Sequence, residues 1–463
     1  MGTSAKQRLL FCGACAAEPL VCKGLPKTVL CVILSQEVTT MERVIFHVDV
    51  NSAYLSWSAI KALAEGAKED YRMIPCVVGG DESKRHGVVL AKSLPAKRYG
   101  IRTGESLFEA RRKCPELTII KPEYSWYVEK SRAMMQILEQ YTPDVYQYSI
   151  DEAFLDMTGM EELMGKPQDA AFRLKNQIRD TLGFTVNIGI SSNFLLAKMA
   201  SDFEKPDQVH TLFLEEICEK MWPLPVRELF SVGKSAAVKL EKFGIRTIGE
   251  LAKADRERLA SELGAAGGMI WDYANGIESV PVVQRETKDK SYGNSVTTSE
   301  DICDCETACR ILRPLCETVA MRLRLDSMKV STLAVQVTDY NFKKRSHQRT
   351  LTHATDVTME IYEAACSLMR ELWNGTPVRL IGVSGGKAAR EEFEQLSLFP
   401  DPKKEKQKKL DQAMDHLKLR FGDKAVMRAS LLEGAKTSGG MSKAKMEQKI
   451  KKAGEESDGR NQL

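Results

Sequence analysis

The sequence lacks a strong excess of charge of either sign. Its 463 residues include 67 Lys and Arg against 63 Asp and Glu, so the net charge at neutral pH is only +4. Nothing here marks the whole surface as nucleic-acid binding, so any DNA-binding charge must be local. With 43% hydrophobic and 28% charged residues, the composition is that of a soluble globular protein with ample apolar material for real cores.

Regularly spaced cysteine pairs are also missing. The 12 cysteines are scattered without a repeating spacing. In a chain of this size that pattern argues against a disulfide framework and for reduced, cytosolic thiols. The length exceeds what one hydrophobic core usually supports, so about two to four domains are expected.

The first forty residues differ from the rest and have three competing interpretations. A secretory signal has the same basic-then-apolar order. A zinc site could use the four cysteines of this segment, but only Cys12 and Cys15 have ligand-like spacing. We favour the third interpretation, in which Met41 is the natural start and residues 1–40 are a disordered or non-native leader.

Two apolar, strand-like stretches end in carboxylates. The first reaches Asp49 and is followed by Asn51 and Ser52, which are typical of helix N-termini. The second reaches Asp151 and Glu152. An acidic pair in a turn is most often simply solvated. Two such strands, about a hundred residues apart, instead indicate one metal site assembled by the fold.

Phosphoryl transfer needs such an arrangement. Two divalent ions about 4 Å apart activate the attacking oxygen and neutralise charge on the leaving one, and magnesium takes hard oxygen ligands. Asp49 and Asp151 can bridge both ions, and Glu152 can favour the ion beside the attacking hydroxyl. The Val50 carbonyl can complete the nucleotide-side ion. Backbone amides of the helix that starts at Ser52 then face a triphosphate.

The stretches HVDVNSAYLSW (47–57) and YSIDEAFLD (148–156) resemble motifs of the Y family of DNA polymerases, the translesion enzymes. Further motifs follow in the same order at 88–100, 189–193 and 197–206, and the resemblance covers about residues 41–400. It implies an α+β, multi-domain right-hand polymerase with a ferredoxin-like palm, small fingers, a helical thumb and a βαββαβ little-finger domain. The implied activity is template-directed addition of deoxynucleotides to a primer 3′ end, in low-fidelity translesion synthesis and DNA repair.

The resemblance and the element pattern together divide the chain. The expected parts are a leader (1–40), the palm (41–52 and 120–212), the fingers (53–119), the thumb (213–281), a linker (282–289), the little finger (290–390) and a clamp-binding peptide with a basic tail (391–463). Periodicity predicts helices at 51–64, 123–141, 168–182, 193–203, 306–325, 358–373 and 409–430, and strands near 74–78, 87–91, 145–150, 152–157, 185–190, 291–298, 331–339, 348–355 and 379–383. Residues 434–463 are expected to be disordered.

The same resemblance implies a nucleotide site. Tyr54 would be the steric gate that excludes a 2′-hydroxyl, although its pattern alone also fits a core aromatic. The family's fingers motif has Tyr and Arg where this chain has Leu94 and Lys97. Lys97 keeps the charge without the bidentate fork, and Leu94 cannot donate a hydrogen bond. The predicted nucleotide-binding residues are Ser52, Ala53, Tyr54, Lys97 and Lys205.

Two short basic segments are candidates for contacts with DNA. One looks like a helix-hairpin-helix, which offers backbone amides and lysines to phosphates without reading bases. The other is a hairpin turn, of a kind that is usually just solvated. The predicted DNA-binding residues are Val232, Gly233, Lys234, Lys343, Lys344, Arg345 and Arg349.

A five-residue segment beyond the last strand resembles the bacterial sliding-clamp-binding peptide. It consists of Gln395, Leu396, Ser397, Leu398 and Phe399. Exposed apolar anchors on a tail suit docking into a preformed cleft. The alternative is that the segment packs on the last helix.

The sequence therefore predicts a bacterial, cytoplasmic, monomeric DNA polymerase that uses two Mg²⁺ ions. Its expected partners are primer-template DNA, deoxynucleoside triphosphates and a sliding clamp, with no membrane association. The alternative is a catalytically weak DNA- and clamp-binding protein on the same scaffold. The intact set of Asp49, Asp151 and Glu152 favours the enzyme.

Overall fold

The computed structural model describes residues 43–80, 87–283, 291–390, 402–422 and 425–426. The strands are β1 (Ile45–Val50), β2 (Cys76–Gly79), β3 (Val89–Lys92), β4 (Thr118–Ile120), β5 (Val145–Gln147), β6 (Glu152–Asp156), β7 (Val186–Ser191), β8 (Val209–Thr211), β9 (Ser291–Ile302), β10 (Lys329–Asp339), β11 (Lys344–Thr355) and β12 (Val378–Ala389). The α-helices are α1 (Ala53–Ala64), α2 (Leu94–Arg98), α3 (Leu107–Lys113), α4 (Tyr124–Leu138), α5 (Glu161–Met164), α6 (Pro167–Leu182), α7 (Phe194–Ser201), α8 (Lys234–Lys242), α9 (Ile248–Ala252), α10 (Arg256–Leu263), α11 (Ala265–Ala274), α12 (Cys305–Leu325), α13 (Thr358–Leu372) and α14 (Pro402–Phe421).

The first sheet is the centre of the structure and has the strand order β5-β6-β1-β7-β8. β1 runs antiparallel to both β6 and β7, and β8 joins the edge parallel to β7. All residues of β7 are buried. Its sequence nevertheless alternates, because Val186, Ile188 and Ile190 enter the large apolar core while Asn187 and Gly189 lie against α7.

The two faces of this sheet pack against different elements. Phe46, Val48 and Val50 of β1 join a large core that includes side chains of α4 and α6. Successive strand residues point to opposite faces, so Ile45 packs with residues of α7 instead. His47 and Asp49 share the face of Ile45, and the acidic end of β1 therefore lies on the α7 side.

A second, smaller sheet follows α1 and has the order β3-β2-β4. β3 is antiparallel and β4 parallel to β2. The two strands predicted at 74–78 and 87–91 are present, each starting two residues later. Helices α2 and α3 cover its apolar side, and Ser93 and Ser106 cap them by accepting hydrogen bonds from backbone amides.

The helical lobe, defined as residues 214–274, has its own core built largely from α8 to α11. Short helical turns at Leu214–Glu216, Ile217–Met221 and Val226–Glu228 lead into it. Helix α7 contributes four residues to the same core, namely Leu195, Leu196, Met199 and Ala200. The helix is thus shared between the central sheet and the helical lobe.

The third sheet has the order β11-β10-β12-β9, and all its neighbouring strands are antiparallel. Helices α12 and α13 cover one face and form the core with it. The Asp339 carboxylate closes the β10–β11 turn by accepting hydrogen bonds from the amides of Asn341 and Lys343. The turn is therefore tighter than predicted, and Lys344 and Arg345 belong to β11 rather than to the hairpin turn.

The prediction for the last helix is wrong in its position, since it was expected at 409–430 and is found at Pro402–Phe421. Gly422, at φ +90°, ends it in the left-handed conformation that glycine favours. Arg324 of α12 holds the helix through ion pairs with Asp411 and Asp415. The helices predicted before residue 400 are all present, with ends that differ by at most three residues.

None of the helices in the described ranges combines the length and apolar character that crossing a bilayer requires.

Gly189 of β7 allows α7 to approach the sheet backbone, so we predict that Gly189→Ala strongly destabilises the fold. A Cβ there would lie 2.0 Å from the Ala197 carbonyl oxygen and 2.4 Å from the Ser201 nitrogen. Backbone atoms cannot rotate away, and we expect a loss of roughly 3 kcal/mol or more in thermal unfolding. Gly386→Ala is the control, since its Cβ would meet only Thr332 at 3.9 Å. Equal melting temperatures for the two variants would contradict the close approach.

Candidate active site

Two acidic side chains lie next to each other at the end of the central sheet. Asp49 on β1 is directly opposite Glu152 on β6 in the antiparallel register. Opposite residues project from the same face, so both carboxylates lie on the α7 side. The amide of Val50 donates to the Asp151 carbonyl oxygen at 3.0 Å, which fixes Asp151 beside the pair. The structure therefore brings the three acidic residues, predicted from two distant stretches, to the same end of the sheet, with the Asp49 and Glu152 side chains on one face.

A lysine ammonium group donates a hydrogen bond to each of the two paired carboxylates. Lys205 donates to Asp49 and also to Asp202, while Lys198 donates to Glu152. The two ammonium groups differ in accessibility. The Lys205 side chain is 34% exposed, and that of Lys198 is only 9% exposed.

Burial raises the pKa of Asp49 to about 6. Lys205 partly offsets this increase in pKa, and the neighbouring Glu152 adds to it. Burial also acts to lower the pKa of Lys205, but Asp49 and Asp202 outweigh it and raise that pKa overall. A carboxylate that is costly to keep charged, with another close by, marks a position that favours a cation.

Asp151 has a local partner of its own. The Ser149 hydroxyl donates to its carboxylate at 2.6 Å. The three acidic side chains thus have three different partners, and across the described ranges no three His, Cys, Asp or Glu side chains converge on one point as metal ligands do. The donor chemistry nevertheless fits a hard divalent cation, because carboxylate oxygens are the ligands that such a cation prefers.

A histidine lies beneath the carboxylates. His47 is fully buried, and its Nδ1 is 2.7 Å from the Ser201 hydroxyl. Burial, followed by the charges of Lys198 and Lys205, holds the pKa of His47 well below its usual value, so the ring is neutral. Its Nε2 lies 3.9 Å from a Glu152 carboxylate oxygen.

Tyr54, the predicted gate, belongs to an aromatic cluster on the first turn of α1. Its ring stacks on that of Tyr127, with centroids 4.7 Å apart and planes 11° from parallel, and meets Tyr124 edge-on at 6.1 Å. Tyr127 is itself fully buried and hydrogen-bonded to Ser58 at 2.6 Å. The ring of Tyr54 is half-buried, with one face supported by the cluster.

The remaining predicted nucleotide ligands lie on two elements. Ser52, in the left-handed conformation, precedes α1 and accepts the first helical hydrogen bond from Ser56. Lys97 lies on the exposed side of α2, and Leu94 is 51% exposed on the same helix. The structure therefore leaves an open apolar side chain where the family motif has a hydroxyl donor.

The predicted DNA contacts of the helical lobe lie at the start of α8. Gly233 is the residue before the helix, and a Cβ there would have open space around it. Lys234 begins the helix and is exposed, whereas Val232 is buried in the lobe core. Val232 can therefore offer only backbone groups to a ligand.

The predicted DNA contacts of the third sheet fall on both of its faces. Arg349 pairs with Glu371 of α13, and Arg345 donates to the Leu372 carbonyl oxygen at 3.3 Å, so both point to the helix side. Lys344 faces the opposite side, which none of the described helices covers, because strand residues alternate. The predicted clamp-binding residues 395–399 lie outside the described residues.

Sequence reasoning missed Lys198, His47 and Tyr127. Lys198 stands in the apolar helix FLLAKMA, where a lone charge in an otherwise buried stretch was a usable signal. No such signal marks His47 or Tyr127 in the sequence, because only the fold brings His47 to Glu152 and Tyr127 to Tyr54.

Comparisons with known proteins identify the family to which the chain belongs. The impB/mucB/samB family profile matches residues 48–202, and the profile of its C-terminal domain matches residues 289–398. DNA polymerase IV of Clostridium acetobutylicum is 44% identical over 397 residues, which cover 85% of this chain and 99% of the relative. DNA polymerase IV of Clostridium kluyveri is 38% identical over 406 residues, covering 86% and 100% respectively. A chimeric Y-family DNA polymerase of known structure, 20% identical, matches with a TM-score of 0.65 over 75% of this chain and 100% of its own.

The structural match confirms the predicted α+β, right-hand polymerase fold. The sequence matches define a DNA-directed DNA polymerase of the translesion type. The chain belongs to the Y family of DNA polymerases, described as impB/mucB/samB, together with the bacterial DNA polymerase IV proteins. Membership of this family implies a divalent metal cofactor and DNA and nucleotide substrates.

Proposed function

We propose that this polymerase adds deoxynucleotides to a primer 3′ end at the acidic end of the central sheet, with two Mg²⁺ ions as cofactor. The observation that carries the proposal is the register that sets Asp49 opposite Glu152, with Asp151 held beside them. Three carboxylates drawn from two strands match the ligand chemistry of a two-metal phosphoryl-transfer site.

Asp49, Asp151, Glu152 and the carbonyl of Val50 would hold the ions. Bound there, the cations would activate the attacking hydroxyl and neutralise charge on the leaving pyrophosphate. Lys205 lies on a loop, and its side chain is one-third exposed. When substrate and metal arrive, Lys205 releases Asp49 and binds the triphosphate instead.

The incoming nucleotide lies between α1 and α2. Backbone amides at Ser52, Ala53 and Tyr54 face its phosphates from the N-terminus of α1, and Lys97 contacts them from α2. Lys97 acts as a point charge, without the bidentate geometry of arginine. The ring of Tyr54 lies under the sugar as a steric gate, and Tyr127 supports it from below.

In this proposal the chain keeps the division expected from its sequence, and DNA lies across the thumb and little finger. The proposed parts are a leader (1–40), the palm (41–52 and 120–212), the fingers (53–119), the thumb (213–281), a linker (282–289), the little finger (290–390) and a clamp-binding tail (391–463). The proposed DNA contacts are Val232, Gly233, Lys234, Lys343, Lys344, Arg345 and Arg349. Support is strongest for Lys344, since it faces the side of the third sheet that none of the described helices covers. Arg345 and Arg349 would first have to exchange their contacts with α13.

The clamp-binding segment 395–399 would recruit a sliding clamp to this monomeric, cytoplasmic enzyme. Its apolar residues Leu398 and Phe399 would enter a cleft on the clamp, in the way that short anchor peptides do.

We predict that Asp49→Ala, Asp151→Ala and Glu152→Ala each lower the rate of primer extension roughly a thousandfold or more. Loss of a ligand leaves the developing charge unneutralised, which costs several kcal/mol of barrier. Single-turnover extension on a primed template measures this, with thermal unfolding to check the fold. Asp156→Ala is the control. Asp156 lies at the opposite end of the strand that carries Glu152, so this variant should extend primers almost normally. Near-normal rates for all three variants would refute the site, whereas a folded wild-type protein that itself fails to extend primers would favour the catalytically weak, clamp-binding alternative.

For the gate, we predict that Tyr54→Ala lowers discrimination against ribonucleotides by roughly tenfold or more, while deoxynucleotide addition persists. A purely structural Tyr54 would instead leave a cavity that costs roughly 3–5 kcal/mol without changing sugar preference. Ribo- and deoxynucleotide incorporation is measured beside thermal unfolding. Tyr141→Ala removes a buried tyrosine of the same core and should lower stability alone. Unchanged sugar selectivity in a destabilised Tyr54→Ala would exclude the gate.

For recruitment, we expect the double variant Leu398→Ala and Phe399→Ala to lose stimulation by a sliding clamp and to keep its basal activity, since both residues lie beyond the polymerase core. Primer extension with and without clamp measures the effect. The control removes two exposed leucines of α14, Leu410 and Leu417, in the same way. Stimulation equal to that of the wild type would show that another surface binds the clamp.

A further inference from the structure

Helix α7 carries a buried positive charge to the back of the proposed active site. The Lys198 side chain is only 9% exposed, on a helix whose eight residues are all buried. A lysine is almost never buried without a partner, because desolvation of its ammonium is costly. Here the partner is Glu152, whose carboxylate accepts from the Lys198 ammonium.

Aromatic rings from two parts of the chain enclose the same ammonium group. It lies 4.9 Å from the ring centroid of Tyr148, just before β6, and 5.8 Å from that of Phe230 in the helical lobe. The faces of aromatic rings attract a cation without competing for its hydrogen bonds. These contacts leave the ammonium charge free to act on Glu152.

The hydrogen bonds around His47 fix Lys198 from the other side. Ser201 donates its only hydroxyl proton to the Lys198 carbonyl oxygen at 2.8 Å. The same hydroxyl must then accept from Nδ1 of His47, so Nε2 carries the lone pair. Within the described part of the chain, Nε2 has no hydrogen-bond partner and lies 3.9 Å from Glu152. The histidine therefore supplies no donor to Glu152, and Lys198 does.

The two lysines of the site consequently have different roles. Lys205 is partly exposed and bonds two carboxylates, so it can move when substrate arrives. Lys198 is fixed in a helix that packs on both the sheet and the helical lobe. Its charge therefore stays beside Glu152 throughout the reaction.

We propose that Lys198 is a positioning residue that orients the Glu152 carboxylate for catalysis. The inference rests on the role proposed for Glu152 above. The alternative is that Lys198 contributes only to packing and stability, as a buried ion pair can. The two differ in what happens when the charge alone is removed.

The test compares Lys198→Met, which removes the charge at similar length, with Lys198→Arg, which keeps it. We expect Lys198→Met to lower kcat between about tenfold and a hundredfold, the effect of losing one charge-assisted hydrogen bond. The KM for the nucleotide and the Kd for primer-template DNA stay nearly unchanged, and Lys198→Arg recovers most of kcat. Lys220→Met, which removes another lysine ion pair away from the site, is the control and keeps wild-type kinetics. Equal loss in Lys198→Met and Lys198→Arg, or normal kcat in Lys198→Met, would overturn the proposal.

A second measurement needs neither metal nor activity. Urea unfolding in EDTA compares Lys198→Met in the wild-type and in the Glu152→Gln background. If Lys198 holds the Glu152 charge, Lys198→Met lowers the unfolding midpoint in the first background and much less in the second. If Lys198→Met fails to fold alone but folds in the Glu152→Gln background, the conclusion is again that Lys198 holds the Glu152 charge. Equal drops in both backgrounds, or failure of both to fold, would make Lys198 a packing residue.

The outcomes also separate this inference from the proposed function. An inactive Glu152→Ala beside a fully active Lys198→Met overturns only the role of Lys198. A fully active Glu152→Ala overturns the proposed site itself.

Discussion

The structure depends on how it stabilises negatively charged carboxylates at the end of a β-sheet that a helix covers. Asp49 and Glu152 lie on neighbouring strands on the face that α7 covers, where water screens little of their repulsion. Two lysines compensate that charge, one from the end of the sheet and one from within α7. The cost of burial remains visible in the raised pKa of Asp49. A site that is this costly to keep negative is prepared to bind cations.

Close packing of α7 on the sheet makes this arrangement possible. Gly189 permits backbone contact between β7 and the helix, which brings Lys198 within reach of Glu152. Because four other residues of α7 join the core of the helical lobe, one short helix sets both the lobe and the back of the acidic site. The same helix would therefore connect the proposed DNA-binding thumb to the proposed site of chemistry.

Much of this could be predicted from the sequence, for identifiable reasons. The carboxylates could be predicted because they flank apolar strands, Asp49 near the end of β1 and Asp151 and Glu152 at the start of β6, and the helices because their periodicity is strong. The helix at Pro402–Phe421 was misplaced, since its first turns are lysine-rich and its anchors on Arg324 come from distant residues. The orientation of Arg345 and Arg349 toward α13 could not be predicted, because it depends on the register between β10 and β11. Lys198 was overlooked, since its meaning depends on which face of the sheet α7 covers.

The most direct test of the account is templated primer extension by the purified full chain, with Mg²⁺ and with EDTA. The account predicts addition of the complementary deoxynucleotide in Mg²⁺, none in EDTA, and none in Mg²⁺ by Asp49→Ala that still binds the DNA. Folded, DNA-bound wild-type protein that adds no nucleotide in Mg²⁺, or an Asp49→Ala variant that adds it normally, would contradict the assignment of chemistry to this end of the sheet.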